Sequence, residues 1–372
     1  MKLVKAFLFM LVVCLGRAQF PLPVPTLNGV QEGIMDRPPE FYTMGWENGL
    51  QLVAKETGMF IEVDSIGQQD IALLVDREQQ PVLYTSEIET PVCADGECKL
   101  MHIRLYWTLL GDYAGFDRYP QQPLTKHDHD EFVQADYLKL HQLLLDDKSI
   151  FRQRKIDELV KKPSPSDHGD VDALSGATIA EVKESVVSGA LYSCYVAWHL
   201  VHGEISGKLK EHTLDLLDKE LILRMLQKDD PDYQMFALEK LDKVEYLDHL
   251  ERLAGIFKSS IPLVRGYIIK NLPGEFWRNP AVQVPFWDAF STIDINSRSL
   301  MLEHLEEAPK SSIVDISIKL GSMTKNQLRA FLDFLAERNN EGEIMENLKV
   351  FANRDNEVYA YLVLQFLEGY KQ

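Results

Sequence analysis

Leucine-rich helical segments recur at a nearly constant interval in the second half of the chain, and this regularity restricts the possible folds most. Leu241, Leu272, Leu305, Leu335 and Leu367 end comparable segments, and successive members lie 31, 33, 30 and 32 residues apart. A unit of this length holds a helix pair that is too small to bury its own apolar face, so neighbouring units must stack to form a core. An irregular helical bundle is the alternative. We expect an all-α helical-repeat domain over residues 207–372.

These segments resemble short HEAT-like repeats, although no unit matches a strict consensus. The resemblance implies a solenoid, an architecture whose extended surface commonly binds other proteins. A purely scaffolding role for the repeats is the alternative.

Before residue 207 the pattern changes to short apolar runs bounded by turn residues, which is typical of strands. The strand candidates are Ile71–Val75, Val82–Thr85 and Met101–Leu110. Helix signals cover Glu40–Lys55 and Ile150–Lys161, and an amphipathic helix containing Leu140–Leu145 has Thr125 or Asp128 as its candidate cap. We therefore expect an α+β domain over residues 59–206, preceded by an N-terminal extension over residues 19–58.

The first eighteen residues have the pattern of a secretory signal peptide. Lys2 and Lys5 precede an apolar stretch that is too short to span a bilayer, and Ala18 is a suitable small residue for cleavage. Cys14 raises lipidation as an alternative, but Val13 is bulkier than a lipobox prefers. We expect cleavage after Ala18, a periplasmic or secreted location, and no membrane span in the mature chain.

The chain is acidic, with a formal net charge of −18. Loss of Lys2, Lys5 and Arg17 with the signal takes this charge to −21. Such a charge argues against nucleic acid and anionic lipid as partners.

Three cysteines remain after cleavage of the signal. Cys93 and Cys98 flank a short turn-like insert, and in an oxidising compartment a disulfide between them is expected. A redox-active pair and free thiols are the alternatives. Cys194 lies in an apolar segment and is expected to be a small buried side chain.

The run Asp172-Ala173-Leu174-Ser175-Gly176-Ala177-Thr178 follows a polar stretch and precedes an apolar-periodic segment from Ile179 to about Val201. This order predicts a small-residue turn at the start of a helix. Unpaired N–H groups and the positive end of the helix dipole favour phosphate at such a place. The alternative is an ordinary helix cap, since Ser and Thr are common caps.

The same run resembles the attachment sequence of the FMN-binding domain family, whose members are exported redox proteins. The resemblance implies that Thr178 carries FMN covalently through a phosphoester bond, added by an extracytoplasmic FMN transferase. It also implies that Asp172, Ser175, Gly176 and Ala177 form the surrounding turn. The similarity continues over Val186–Tyr192. On this basis the fold class is an α+β FMN-binding-type domain followed by HEAT-like helical repeats.

The flavin ring would need an apolar or aromatic wall, and four aromatic residues of one strand–turn segment are candidates for it. They are Tyr106, Trp107, Tyr113 and Phe116. Packing in the core is the alternative role for each of them.

Other chemistry has weak support in the sequence. His199 and His202 share a helix face, and His127 and His129 flank Asp128, but no further metal ligand is evident. Hydrolase signatures are missing, so no catalytic residue is assigned.

Two functions remain open at this stage. The first is an electron carrier that exchanges electrons with a periplasmic or membrane redox partner, which need not be an enzyme by itself. The second is a cofactor-free binding or scaffold protein that acts through its helical repeats.

Overall fold

A computed structural model describes residues 33–63, 66–92, 100–126, 129–159, 186–338, 342–354 and 356–369. The chain divides into two compact units, of which the first ends at Leu217 and the second begins at Asp218. An α+β unit therefore precedes an all-α unit, and this coarse layout is as the sequence predicts.

One antiparallel sheet forms the first part of the α+β unit. Its strands are β1 Ile34–Met35, β2 Phe41–Tyr42, β3 Leu52–Val63, β4 Gly67–Val75, β5 Pro81–Thr90, β6 Met101–Trp107 and β7 Tyr113–Arg118. Their order across the sheet is β1-β3-β4-β5-β6-β7-β2. Each strand from β3 to β6 pairs with the next along the chain. The strand candidates Ile71–Val75 and Val82–Thr85 are confirmed within β4 and β5, and the third is confirmed from Met101 to Trp107, where β6 ends.

The expected helix over Glu40–Lys55 is wrong, because this stretch contributes parts of two strands. β2 pairs with β7 through Phe41 opposite Phe116 and Tyr42 opposite Gly115. Gly115 permits the close approach, since a Cβ atom there would lie 2.2 Å from the carbonyl oxygen of Phe41. These pairings join residues far apart in sequence, and they override the local helix signal.

Both faces of the central strands are covered. On one face Leu52, Leu74, Leu83 and Tyr106 belong to a buried cluster. The opposite side receives helices, with α1 Gln134–Leu145 against β7 and α3 Leu191–His202 against β6. Strands β6 and β7 are consequently buried along almost their whole length.

Helix α1 begins later than the sequence predicts. Its N-cap is Val133, whose N–H donates to the Asp136 carboxylate at 3.0 Å. Thr125 forms an isolated bridge with Glu131 instead, and Asp128 lies outside the described residues. Thr125 is therefore not the cap of this helix.

The structure interrupts two helices that the sequence predicts, the charged helix over Ile150–Lys161 and the apolar helix up to Val201. Ile150–Arg152 is a 3-10 turn, and within the described residues a separate helix, α2, covers Ile156–Leu159. The apolar segment up to Val201 is not one helix, because residues 186–190 form a turn in which Gly189 has φ of +75°. Helix α3 starts after this turn, and α4 Glu204–Asp215 follows it.

The second unit is helical throughout its described residues. Its helices are α5 Lys219–Gln227, α6 Pro231–Lys240, α7 Leu250–Ser259, α8 Pro262–Asn271, α9 Gly274–Trp277, α10 Pro280–Asp288, α11 Ile295–Leu302, α12 Lys310–Ile318, α13 Lys325–Ala336, α14 Glu343–Ala352 and α15 Ala360–Gly369. Nine of these eleven helices pack as two rows, α7-α10-α12-α14 and α6-α8-α11-α13-α15. The five regularly spaced leucines lie at or just after the ends of the helices of the second row.

Side-chain caps fix where several of these helices begin. The carboxylate of Asp230 accepts from the N–H groups of Asp232 and Tyr233, and Pro231 occupies the first turn. Asp294 caps α11 in the same way, and Thr324 forms a capping box with Gln327 at α13. These groups satisfy N–H donors that a helix leaves unpaired, which sets the start of each helix.

A buried glutamine connects consecutive segments of the second unit. Gln283 on α10 is 0% exposed, and its amide nitrogen donates to the carbonyls of Trp277 at 2.8 Å and Glu307 at 3.1 Å. Its amide oxygen accepts from the indole N–H of Trp287 at 3.1 Å. Removal of this side chain would leave several buried polar groups without a hydrogen-bond partner.

We expect Gln283→Ala to lower the free energy of unfolding of the protein by about 2–4 kcal/mol, because buried carbonyls and an indole N–H lose their partner. Urea unfolding followed by circular dichroism measures the change. Gln365→Ala, at an exposed position of α15, is the matched control and should change stability by less than about 0.5 kcal/mol. Equal stability of the two variants would contradict the role assigned to Gln283.

Candidate functional site

The residues that carry the sequence resemblance lie outside the described part of the chain. These residues are Asp172, Ser175, Gly176, Ala177 and Thr178. The described chain reaches Leu159 and resumes at Val186, and both of these side chains are buried in the α+β unit. The two ends of the intervening segment are thus anchored in that unit. Cys93 and Cys98 also lie outside the described residues.

The four aromatic candidates for a flavin wall are part of the core. Tyr106, Trp107, Tyr113 and Phe116 are all at most 6% exposed. The polar atoms of three of them have internal partners: Tyr106 Oη donates to Asp117 at 2.7 Å, Trp107 Nε1 donates to the carbonyl of Val201 at 3.1 Å, and Tyr113 Oη lies 2.8 Å from His141 Nδ1. These rings hold the sheet and its helices together, so they leave no free aromatic face for a ligand.

A groove of about 350 Å³ lies between the outer part of strand β3 and the helices α3 and α4. The strand contributes residues 60–62, and Phe60 is 40% exposed there. From the helices come Tyr195, Val196, His199, Leu200, Glu204, Ile205 and Lys208. Within the described residues β3 pairs with β1 only at Leu52 and Val53, so no described strand covers this edge next to the groove. The volume is within the range of small-molecule sites.

His199 is the polar group of this groove with an unsatisfied buried atom. Its Nε2 has no hydrogen-bond partner among the described residues, and it is shielded from solvent. Burial lowers the pKa of His199, while a hydrogen bond to the Phe151 backbone opposes this shift. A bond that raises the pKa of a histidine is one in which the ring donates, here to the Phe151 carbonyl.

The sequence places His199 and His202 on one helix face, but the structure gives them different surroundings. His202 Nε2 lies 2.8 Å from the carbonyl oxygen of Leu144, which belongs to the last turn of α1. His199 instead lines the groove, where the ring of Tyr195 is 4.2 Å from its own ring. No local sequence pattern reveals this groove, because its strand side comes from residues 60–62, which lie far from α3 along the chain. An alternation of exposed residues at the end of β3 was the only available signal.

A second polar cluster lies on strands β5 and β6 and just after β7. The guanidinium of Arg104, which is 3% exposed, forms an ion pair with Glu87 and donates to the Tyr119 hydroxyl at 3.2 Å. The Tyr119 hydroxyl also donates to Glu87, and the ring of His102 stacks on that of Tyr119 at 3.7 Å. Because these charged and polar groups bind one another, the cluster acts as a cross-strand connection within the sheet.

The remaining predictions about individual residues have simple outcomes. Cys194 is a free and fully buried cysteine, as expected. His129, one of the two histidines that flank Asp128, has φ of +64°. Among the described residues no group of three or more His, Cys, Asp or Glu side chains is arranged to hold a metal ion. The described helices also include none that is both long and apolar enough to cross a membrane.

Comparison of the chain with protein-family models, with curated proteins and with solved structures gives no match.

We expect thiol titration to separate the three cysteines of the mature chain. Burial raises the pKa of Cys194 to about 12, so Cys194 in the native protein should not react with a thiol reagent at pH 8. If Cys93 and Cys98 form the expected disulfide, unfolding without a reductant should expose one thiol per chain, and reduction should expose three. Cys194→Ala is the control and should expose none before reduction. Three thiols in the unfolded, unreduced wild type would contradict the disulfide.

Proposed function

We propose that this chain is an exported electron carrier that holds FMN covalently on Thr178. The observation that carries the proposal is the run Asp172–Thr178, which resembles the attachment sequence of the FMN-binding domain family. The secretory pattern of residues 1–18 supports it, because attachment by an extracytoplasmic FMN transferase requires export.

Attachment requires an activated flavin, since a hydroxyl displaces phosphate poorly without a leaving group. The proposed donor is a flavin dinucleotide, in which the FMN phosphate is part of a pyrophosphate. Thr178 Oγ1 forms the new P–O bond, the pyrophosphate bond breaks, the nucleotide monophosphate leaves, and the hydroxyl proton passes to solvent. No electrons are transferred in this step. Once bound, FMN supplies one- or two-electron transfer.

In this proposal the second unit is a HEAT-like solenoid that docks the redox partner. Support comes from the two rows of packed helices and from the regular spacing of their leucines. Apolar side chains are also exposed at the starts of neighbouring helices of one row, with Leu263 of α8 65% exposed and Ile295 of α11 53% exposed. In this proposal these two side chains contact the redox partner.

The same exposed residues favour a second candidate function, which is protein binding without a cofactor. In that case the α+β unit would act only as a structural partner of the repeats. The two candidates differ in the chemical state of Thr178, and this difference can be measured.

We expect the mature wild-type chain, exported together with an FMN transferase, to gain the mass of one FMN less one water. It should also show flavin fluorescence in a denaturing gel. Thr178→Val should lose both signals because the accepting oxygen is absent. Ser175→Ala, which removes the other hydroxyl of the run, is the matched control and should retain them. An unmodified wild-type chain under these conditions would contradict the electron-carrier proposal and favour the binding function.

A further inference from the structure

Most of strand β3 forms an open edge of the sheet. Strand β1 lies at the end of the strand order and pairs with β3 only at Leu52 and Val53. From Ala54 to Val63 no described strand lies on this side of β3, although its other side pairs with β4 as far as Val63. An uncovered edge presents backbone N–H and C=O groups that favour addition of a further strand.

The groove between β3 and helices α3 and α4 adjoins the last part of this edge. Phe60 and Ile61 line it from the strand, and Val196, Leu200 and Ile205 line it from the helices. Phe60 is 40% exposed. A strand added here would therefore find backbone partners on β3 and apolar surface for the side chains of one of its faces.

A run that precedes the described chain has the sequence pattern of such a strand. Apolar residues alternate with proline in Phe20-Pro21-Leu22-Pro23-Val24-Pro25. In an antiparallel strand, alternate residues share one face and direct their N–H groups to the same neighbour. Phe20, Leu22 and Val24 would thus supply the donors to β3. The prolines, which lack an N–H, would occupy only outward positions, where they prevent a further strand from adding.

The described chain begins at a place from which this run can reach the groove. β1 is antiparallel to β3, with Ile34 opposite Val53, so the chain that precedes β1 enters from the direction of Phe60. From Val53 to Phe60 strand β3 covers roughly 23 Å. The ten residue steps from Ile34 back to Val24 span up to about 33 Å. The difference leaves room for the turn at Gly33, whose φ is +93°.

We propose that Phe20–Pro25 adds to the open edge of β3 as an antiparallel strand and places Phe20, Leu22 and Val24 in the groove of the same chain. The segment then covers the edge and Phe60, and it prevents copies of the chain from associating through this edge. Cleavage after Ala18 would retain the segment. The proposal does not depend on attachment of FMN to Thr178.

Two properties favour the chain's own segment as the occupant of the groove. The short connection to Gly33 gives the segment an effective concentration on the order of millimolar, which a segment from a second copy does not have in dilute solution. Residues 19–31 also contain no charged side chain. Docking of the segment therefore buries no side-chain charge among the apolar walls.

Hydrogen–deuterium exchange of the full-length mature chain tests the proposal with two adjacent substitutions. Leu22→Glu places a carboxylate in the groove, so it should release the segment and speed amide exchange over residues 60–62 by at least about tenfold. Pro23→Glu adds the same charge on the outward face and should leave exchange at the wild-type rate. Exchange over Ile103–Trp107 of β6 reports global opening and should be the same in all three chains.

The proposal would be overturned by equal exchange over residues 60–62 in wild type and Leu22→Glu. Equal release by Leu22→Glu and Pro23→Glu would also overturn it, because the two side chains would then not lie on opposite faces. Neither result involves a flavin, so failure of the FMN proposal leaves this test unchanged.

A synthetic peptide of residues 19–26 supplies a second measurement. It should bind Leu22→Glu, whose groove is vacant, at least about tenfold more tightly than wild type, where the tethered segment competes. A peptide of the same composition with its three prolines consecutive is the control and should bind neither chain. Failure of the first peptide to bind Leu22→Glu, or equal affinity for both chains, would contradict the proposal.

Analytical ultracentrifugation distinguishes the chain's own segment from that of a second copy. A monomeric wild type with slow exchange over residues 60–62 supports docking within one chain. A wild-type dimer that Leu22→Glu converts to monomers would show that the segment crosses to a second copy, and this result would overturn the proposal.

Discussion

The position of helix α3 against the sheet is the constraint on which the candidate site depends. One buried hydrogen bond, from Trp107 Nε1 to the carbonyl of Val201 at 3.1 Å, joins the helix to β6. Two side chains of α3 also contact the end of α1. Trp198 Nε1 donates to the carbonyl of Asp146, and His202 Nε2 contacts the carbonyl of Leu144, each at 2.8 Å. The last carbonyls of a helix have no partners inside it, so these bonds satisfy α1 and fix α3 at the same time.

This fixed helix has two consequences for function. It holds His199 beside the end of β3, which creates the groove, and its preceding turn anchors Val186, where the segment containing Thr178 rejoins the described chain. The order of the chain therefore brings the proposed attachment segment and the groove to the same compact unit.

Local patterns predicted those parts of the fold that depend on local chemistry. The strand candidates in β4, β5 and β6, the helical second half and the burial of Cys194 follow from hydrophobic periodicity and composition. The prediction failed where contacts distant in sequence decide the outcome. The local pattern of Glu40–Lys55 predicts a helix, but its first residues form the edge strand beside β7. Gly115 of β7 leaves room there for the Phe41 backbone.

The same limit applies to the candidate site. Apolar periodicity continued through residues 186–190, yet Gly189 adopts a positive φ that ends any helix there. The aromatic candidates for the flavin wall were chosen by residue type, and the sheet uses them as its core. No sequence signal linked residues 60–62 to His199, because the groove arises only when β3 and α3 pack in the folded unit.

The most direct test of the account is a crystal structure of the mature chain after coexpression with an FMN transferase. The electron-carrier proposal predicts continuous electron density from Thr178 Oγ1 to the phosphate of an attached FMN group. An ordered wild-type Thr178 side chain without attached density would contradict the electron-carrier proposal.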